Sequence, residues 1–181
     1  MSGAFISLDG RMRYTLEREI PGLLNVGSVL FVMLNPSTAD ATTDDPTTKR
    51  CIGFASRWNF RTMRIVNLFP LRATGPKQLA AWDWHADLDA VRDNDTAVAT
   101  ELARSHAVVV AFGSVPAGIT APRPAPLRDF VASRPTEQPV CLGVNADGSP
   151  KHPLYLRSAA QPAVWNAAGF PSWASCPWSD Q

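Results

Sequence analysis

A chain of 181 residues with 45% hydrophobic content is long enough for one well-packed domain over residues 1–181 and short for two. Its net charge of +1 excludes a chain-wide positive field directed at nucleic acid, although it leaves room for a local basic groove. Three dispersed cysteines suit a reducing cytoplasm, and without a signal pattern or a run of ~20 apolar residues we expect a cytoplasmic protein with no membrane span.

Short apolar runs alternate with helical patterns along the chain. The apolar runs predict four strands, near residues 29–34, 63–67, 107–112 and 139–144. Helical patterns cover residues 45–58, 77–82, 87–104 and 125–133. This alternation is typical of a three-layer α/β fold, with a central, mostly parallel four-stranded sheet flanked by helices.

The first predicted strand runs directly into a polar segment, "NPSTADATTDDPTT" (35–48). Because ligands of α/β sheets bind beyond the carboxyl ends of the strands, we predict that residues 37–48 wall a pocket through hydroxyls and backbone amides. Asp40, Asp44 and Asp45 could bind a metal or act as bases. No histidine or cysteine lies near them in sequence, and Asp45 is explained as the cap of the following helix, so no metal is predicted.

Three polar side chains follow strand ends and are candidates for chemistry. The amide of Asn35 donates and accepts hydrogen bonds, so it can position a water and a polar ligand, although Asn-Pro-Ser is equally typical of a turn. Asn67 ends the second strand and can read the edge of a nucleobase or make local strand-end hydrogen bonds. His152 can donate to a developing anion or be a surface histidine without a role.

Four motifs taken in order resemble the uracil-DNA glycosylase superfamily. They are "MLNPS" (33–37), "RIVNLFPLRATGP" (64–76), "VVVAFGSVPA" (108–117) and "KHPLYLR" (151–157). The resemblance covers a glycosylase-like core of about residues 28–160. The strings "LNPSTAD", "DDPT" and "NLFPLRAT" are more closely similar to a bacterial and phage family of a domain of unknown function, which implies no substrate.

The glycosylase resemblance implies an N-glycosidic bond hydrolase that removes a modified or damaged nucleobase from DNA. It implies catalytic roles for Asn35, which would position the water, and His152, which would stabilise the departing base. The implied substrate-binding residues are Pro36, Ser37, Asn67, Phe69, Gly113 and Ser114. The implied nucleic-acid contacts are Arg72, Lys151, Leu154, Tyr155 and Arg157.

The chain departs from the superfamily pattern at several positions. Asn35 stands where many members have an aspartate or glutamate, and Leu154 stands where a serine is usual. Three cysteines cannot supply the four ligands of the iron–sulfur cluster found in the thermophile-type branch, so we expect no cofactor. The aromatic residue that stacks on the base is absent from its expected place, and Phe54 or Phe69 could substitute for it.

Two alternatives to a DNA glycosylase remain open. An N-glycosidase acting on free nucleotides or nucleosides fits the near-neutral charge. A non-catalytic module that binds a modified base fits an asparagine at the water position. The expected partner is therefore DNA with a modified base or a nucleotide-like small molecule, and the chain is expected to be a monomer.

Overall fold

A seven-stranded mixed sheet forms the centre of the computed structural model, which describes residues 2–22, 26–121, 124–133 and 139–165. The strands are β1 (Gly3–Ile6), β2 (Arg13–Glu19), β3 (Ser28–Met33), β4 (Thr62–Asn67), β5 (Ala107–Val110), β6 (Val140–Cys141) and β7 (Ala163–Val164). The helices are α1 (Pro46–Arg57), α2 (Pro76–Ala80), α3 (Leu88–Arg104) and α4 (Ala125–Ser133), and a 3₁₀ turn covers Pro153–Tyr155.

The strand order is β1-β2-β4-β3-β5-β6-β7. The four central strands, β4, β3, β5 and β6, are parallel and correspond to the four predicted strands. The α/β class and the partly parallel core are therefore confirmed, but a four-stranded sheet is wrong. Three antiparallel strands, β1, β2 and β7, extend it at both edges.

The apolar alternation of β2 is hidden by two buried arginines. Arg13 and Arg18 are both buried within the strand. Arg18 donates from Nε to Asp44 at 2.8 Å and from Nη2 to the carbonyl of Asp40 at 2.6 Å. In a pattern of apolar alternation, an arginine indicates a position that faces solvent. The pattern therefore does not predict a buried strand here, and β2 is not among the four predicted strands.

Helices cover both faces of the sheet. On one face, Cys51, Phe54 and Ala55 of α1 join a buried cluster with Phe31 and Met33 of β3. This is the α1 face. On the opposite face, a second cluster joins side chains of β3 to α3 and α4, including Leu30, Val32, Val98, Leu102 and Leu127. Within the described segments, no helix combines the length and apolar character needed to cross a bilayer.

A β-bulge in β2 changes the direction of one side chain. Phe5 pairs with Thr15, but the next residue, Ile6, pairs with Arg13, so Tyr14 is the extra residue of the bulge. Tyr14 consequently packs on the α3 side of the sheet and Leu16 on the α1 face, although a regular strand would place both on one face. The bulge thereby turns Arg13 to the α1 face.

Candidate functional site

A cavity of about 170 Å³ lies on the α1 face, at the carboxyl ends of β3 and β4. Asn35, Asn67 and His152, the three candidates for chemistry, all line it. Asn35 and Asn67 meet because β3 and β4 are parallel and in register, with Met33 opposite Asn67, and His152 reaches the cavity from the segment after β6. The complete lining is Arg13, Met33, Asn35, Ser37, Asp45, Thr47, Thr48, Ile65, Asn67, Ala73, Thr74 and His152.

Asn67 presents a buried amide to this cavity. The residue is 0% exposed, and neither its side-chain oxygen nor its nitrogen has a hydrogen-bond partner among the described residues. Its backbone carbonyl accepts a 3.1 Å bond from Nδ2 of the buried Asn94 on α3, which fixes the end of β4. Each unsatisfied buried polar group costs about 1–3 kcal/mol. The Asn67 amide can satisfy both groups with a ligand that offers one donor and one acceptor.

The orientation of Asn35 is fixed by two backbone carbonyls. Its Nδ2 donates to Pro36 at 3.0 Å and to Ala73 at 2.7 Å. Both amide protons are therefore used, and Oδ1 is left as the acceptor. The expectation that Asn35 both donates and accepts toward a ligand is wrong, because it can only accept.

His152 enters the cavity as a neutral donor. Its Nδ1 accepts a 3.3 Å bond from the backbone N–H of Leu154, so the proton of the neutral ring is on Nε2. Burial lowers the pKa of His152, and the Asp45 carboxylate opposes this effect. Gly113 lies alongside with a φ of 73°, where a Cβ would lie 3.6 Å from the Cβ of His152. This backbone conformation favours glycine.

Arg13 is a site residue that sequence reasoning missed. It is 3% exposed, and Nη1 donates to the carbonyl of Ala39 at 2.9 Å, whereas Nε has no partner within the described part of the chain. Burial lowers the pKa of Arg13 to about 10, and Asp45 opposes this effect. The group therefore remains charged at neutral pH. Only the bulge places it here, and no pattern in the sequence indicates that bulge.

Asp45 caps α1 as predicted, and it lines the cavity as part of the predicted wall of residues 37–48, although with a carboxylate rather than a hydroxyl or a backbone amide. Its Oδ1 accepts the Thr48 N–H at 2.7 Å and caps α1, and the same carboxylate lines the cavity. A helix start favours an anion, and here the chain supplies its own. With Arg13 charged and His152 neutral, the cavity has a net charge near zero. Such a site suits a neutral polar group better than a phosphate.

The rest of the 37–48 segment is stabilised by its own hydrogen bonds and by contacts with β2. Asp40 accepts the N–H groups of Thr42 and Thr43 at 2.9 and 2.8 Å, and Asp44 pairs with Arg18. Only Ser37, Asp45, Thr47 and Thr48 of this segment line the cavity. Among the residues that the structure describes, no group of three His, Cys, Asp or Glu side chains is arranged to hold a metal ion.

Several predicted substrate-binding residues lie outside the cavity. Phe69 is 1% exposed and packs in the cluster on the opposite face of the sheet, and Phe54 is buried in the α1-face cluster, so neither can stack on a ligand in the cavity. Pro36 is buried and Gly113 only supports His152. Ser114 is exposed, with Oγ 3.0 Å from Oγ of Ser149. The apolar lining comes instead from Met33, Ile65 and Ala73.

The predicted nucleic-acid contacts divide into two groups. The Arg72 guanidinium donates to the carbonyls of Gly10, Ser37 and Thr38, so it stabilises the polar loop, and a phosphate would have to compete with these bonds. The others follow His152 on one segment, where Lys151 and Arg157 are exposed, Leu154 is half-buried and Tyr155 is 84% exposed. This segment is joined to α1 by a hydrogen bond from Arg50 to the carbonyl of Leu156.

Comparison with known proteins identifies a family without assigning an activity. No curated protein and no solved structure matches the chain. A family model described as a protein of unknown function (DUF1643) matches residues 13–154, a segment that begins at Arg13 and includes His152, the first and last residues of the cavity lining. Since this match covers most of the chain, the protein belongs to the DUF1643 family of unknown function.

Proposed function

We propose that this protein hydrolyses the N-glycosidic bond of a modified or damaged nucleobase in DNA. The observation that carries the proposal is the buried, unpaired amide of Asn67 in the same cavity as the neutral donor His152. Base edges offer paired donors and acceptors that an asparagine side chain binds in a bidentate way. At about 170 Å³ the cavity is smaller than the ~300–1,000 Å³ of sites for drug-sized ligands, which favours a single ring over a whole nucleotide.

The reaction replaces the bond from the sugar carbon to the base nitrogen by a bond from that carbon to a water oxygen. Asn35 Oδ1 accepts a hydrogen bond from the water and orients it. The Asp45 carboxylate accepts the proton that the water loses, since only one of its oxygens is used by the cap. His152 Nε2–H stabilises the negative charge that develops on the departing base. Asp45 thus supplies the carboxylate that Asn35 lacks.

The remaining lining residues would hold the base. Arg13 Nε donates to a carbonyl oxygen on the ring, and Asn67 binds the adjacent edge. Met33 and Ile65 contact the flat face of the ring, in the place of an aromatic side chain. A DNA base reaches such a cavity only after it has left the helical stack. On the 151–157 segment, Tyr155 presents an exposed aromatic ring. This ring would fill the gap that the extruded base leaves in the DNA stack.

Replacement of Asn67 by alanine tests this assignment most directly. We expect discrimination between bases to fall about 5- to 150-fold in this variant, because a bidentate edge contact contributes about 1–3 kcal/mol of selectivity. The measurement is kcat/KM for a panel of oligonucleotides that each contain one modified base. Asn145→Ala is the matched control, since that amide bonds Ser149 Oγ at 2.9 Å outside the cavity. Wild-type protein that binds a modified base without releasing it would contradict hydrolysis.

Arg13→Met tests whether this guanidinium binds the ligand. A hydrogen bond from a charged donor contributes about 1.5–3 kcal/mol, so we expect kcat/KM to fall roughly 10- to 150-fold. The melting temperature should also fall, because the change leaves the Asp45 carboxylate without its neighbouring positive charge and the Ala39 carbonyl without its donor. Arg64→Met is the control, because that guanidinium pairs with Glu17 at 2.6 Å and does not line the cavity. Equal activity losses in both variants would contradict a specific role for Arg13.

A further inference from the structure

A second, smaller cleft runs along the outer side of α1. It has a volume of about 110 Å³ and is lined by Lys49, Arg50, Gly53, Phe54, Arg57 and Ser158. Residues 49, 53 and 57 are each four apart, so they follow one another along a single face of the helix. Three of the six lining residues are cationic, and we call this cleft the basic cleft.

The positive charge of the basic cleft is not compensated by its own elements. Neither α1 nor residues 151–158 contain an aspartate or glutamate, although together they contain five lysines and arginines, namely Lys49, Arg50, Arg57, Lys151 and Arg157. Within the described residues, none of these five forms an ion pair. In a chain of net charge +1, this is a strong local concentration of positive charge.

Gly53 keeps the centre of the basic cleft open. The residue is exposed, and a Cβ built on it would meet no atom within 4 Å. A side chain at this position would project into the cleft between the cations at residues 49 and 57. Glycine is also less favourable than alanine in the interior of a helix, so helix propensity does not explain its presence here.

The cavity and the basic cleft share the same two supporting segments. Helix α1 contributes Thr47 and Thr48 to the cavity, and its next residue, Lys49, begins the cleft. The segment after β6 contributes His152 to the cavity and Ser158 to the cleft. From Lys49 to Arg57 the cleft extends about 12 Å along the helix, at 1.5 Å per residue. The cavity and the basic cleft are therefore neighbours along α1 and along the segment after β6.

We propose that the basic cleft binds the phosphodiester backbone of the DNA strand whose base occupies the cavity. The inference rests on the proposed function and adds the location of the DNA strand. The near-neutral cavity matches the uncharged base of a nucleotide within a DNA strand. The adjacent row of cations without ion-pair partners matches its charged phosphodiester backbone. Lysine and arginine contacts to phosphate position the strand without reading its sequence.

The test is salt-dependent binding of a fluorescent single-stranded DNA oligonucleotide to the full chain. For the double variant Lys49→Gln/Arg57→Gln we expect weaker binding at low salt. Its plot of log K against log [NaCl] should be less steep by about 1.4, since each lost phosphate contact on a single strand removes ~0.7. Lys77→Gln/Arg92→Gln, which removes two exposed cations from α2 and α3, should bind like the wild type. Melting curves of both variants should match that of the wild type.

The possible outcomes separate this inference from the proposed function. A double variant with the wild-type slope, or a control pair with an equal loss, would overturn the basic cleft as the DNA site. Tighter binding of RNA than of DNA of the same sequence would overturn the choice of DNA. If the double variant shows the expected change in slope but the wild type never releases a base, the proposed hydrolysis is wrong and the basic cleft remains the DNA site.

Discussion

Replacement of His152 by alanine is expected to lower kcat/KM for base release by two to three orders of magnitude. A preorganised donor to a developing anion is worth roughly 3–4 kcal/mol, and Nε2–H is that donor in the proposed reaction. The residue is half-buried on a loop, so its truncation should cost less than ~1 kcal/mol of unfolding free energy. His85→Ala, which removes an exposed histidine outside the cavity, is the control for both measurements.

The dependence of the rate on pH tests the same assignment independently. The pKa of His152 is below its ordinary value of 6.5 because burial disfavours the imidazolium. The neutral donor therefore persists below pH 6.5, and kcat/KM should fall only when the pH passes below the lowered pKa. Between the two pKa values the unfolded chain binds more protons than the native one, so stability should also decline as the pH falls below 6.5. A rate that rises as the pH falls would indicate that the imidazolium is the active form.

Two substitutions of Asp45 should separate its cap from its chemistry. Asparagine caps helices as well as aspartate does, so Asp45→Asn should preserve the stability of α1, whereas Asp45→Ala should cost about 1 kcal/mol. Both remove the carboxylate that would accept the proton of the attacking water. A positioned general base contributes roughly 10²–10⁴ in rate, so both variants should lose activity to the same extent.

The measurements for Asp45 are a thermal melt and a single-turnover rate for each variant. Single-turnover conditions report the chemical step without product release. If Asp45→Asn releases the base at the wild-type rate, the carboxylate is only a cap, and Asn35 alone orients the water. If Asp45→Asn is as unstable as Asp45→Ala, the loss of activity cannot be attributed to the missing base.

The predictable part of the fold is the part whose side chains are uniformly apolar. The strand β3 is buried on both faces, so its continuous apolar run identifies it without knowledge of its neighbours. In β2, by contrast, the burial of Arg18 depends on Asp44, a partner that is distant in sequence. The edge strand β7 has two exposed residues and no pattern to detect. Local patterns thus located the parallel core, and tertiary contacts determined the edges.

The same distinction explains the candidate site. Asn35, Asn67 and His152 could be grouped in advance because each lies at or beyond the carboxyl end of a strand, and parallel strands end at one edge. Phe69 could not be placed, because the chain has left the regular strand and alternation no longer determines its face. Asp45 was identified as a cap from its neighbour Pro46, but its presence in the cavity depends on where α1 docks.

The bulge at Tyr14 has a consequence for the comparison of relatives. Because Tyr14 is the extra residue, a β2 that is one residue shorter between Arg13 and Leu16 would form a regular strand with both side chains on the α1 face. We therefore expect family members with a one-residue deletion here to keep the guanidinium in the cavity. In such members this arginine and leucine would be closer in sequence but would keep the same positions in space, so an alignment without a gap here would pair the arginine with the wrong residue.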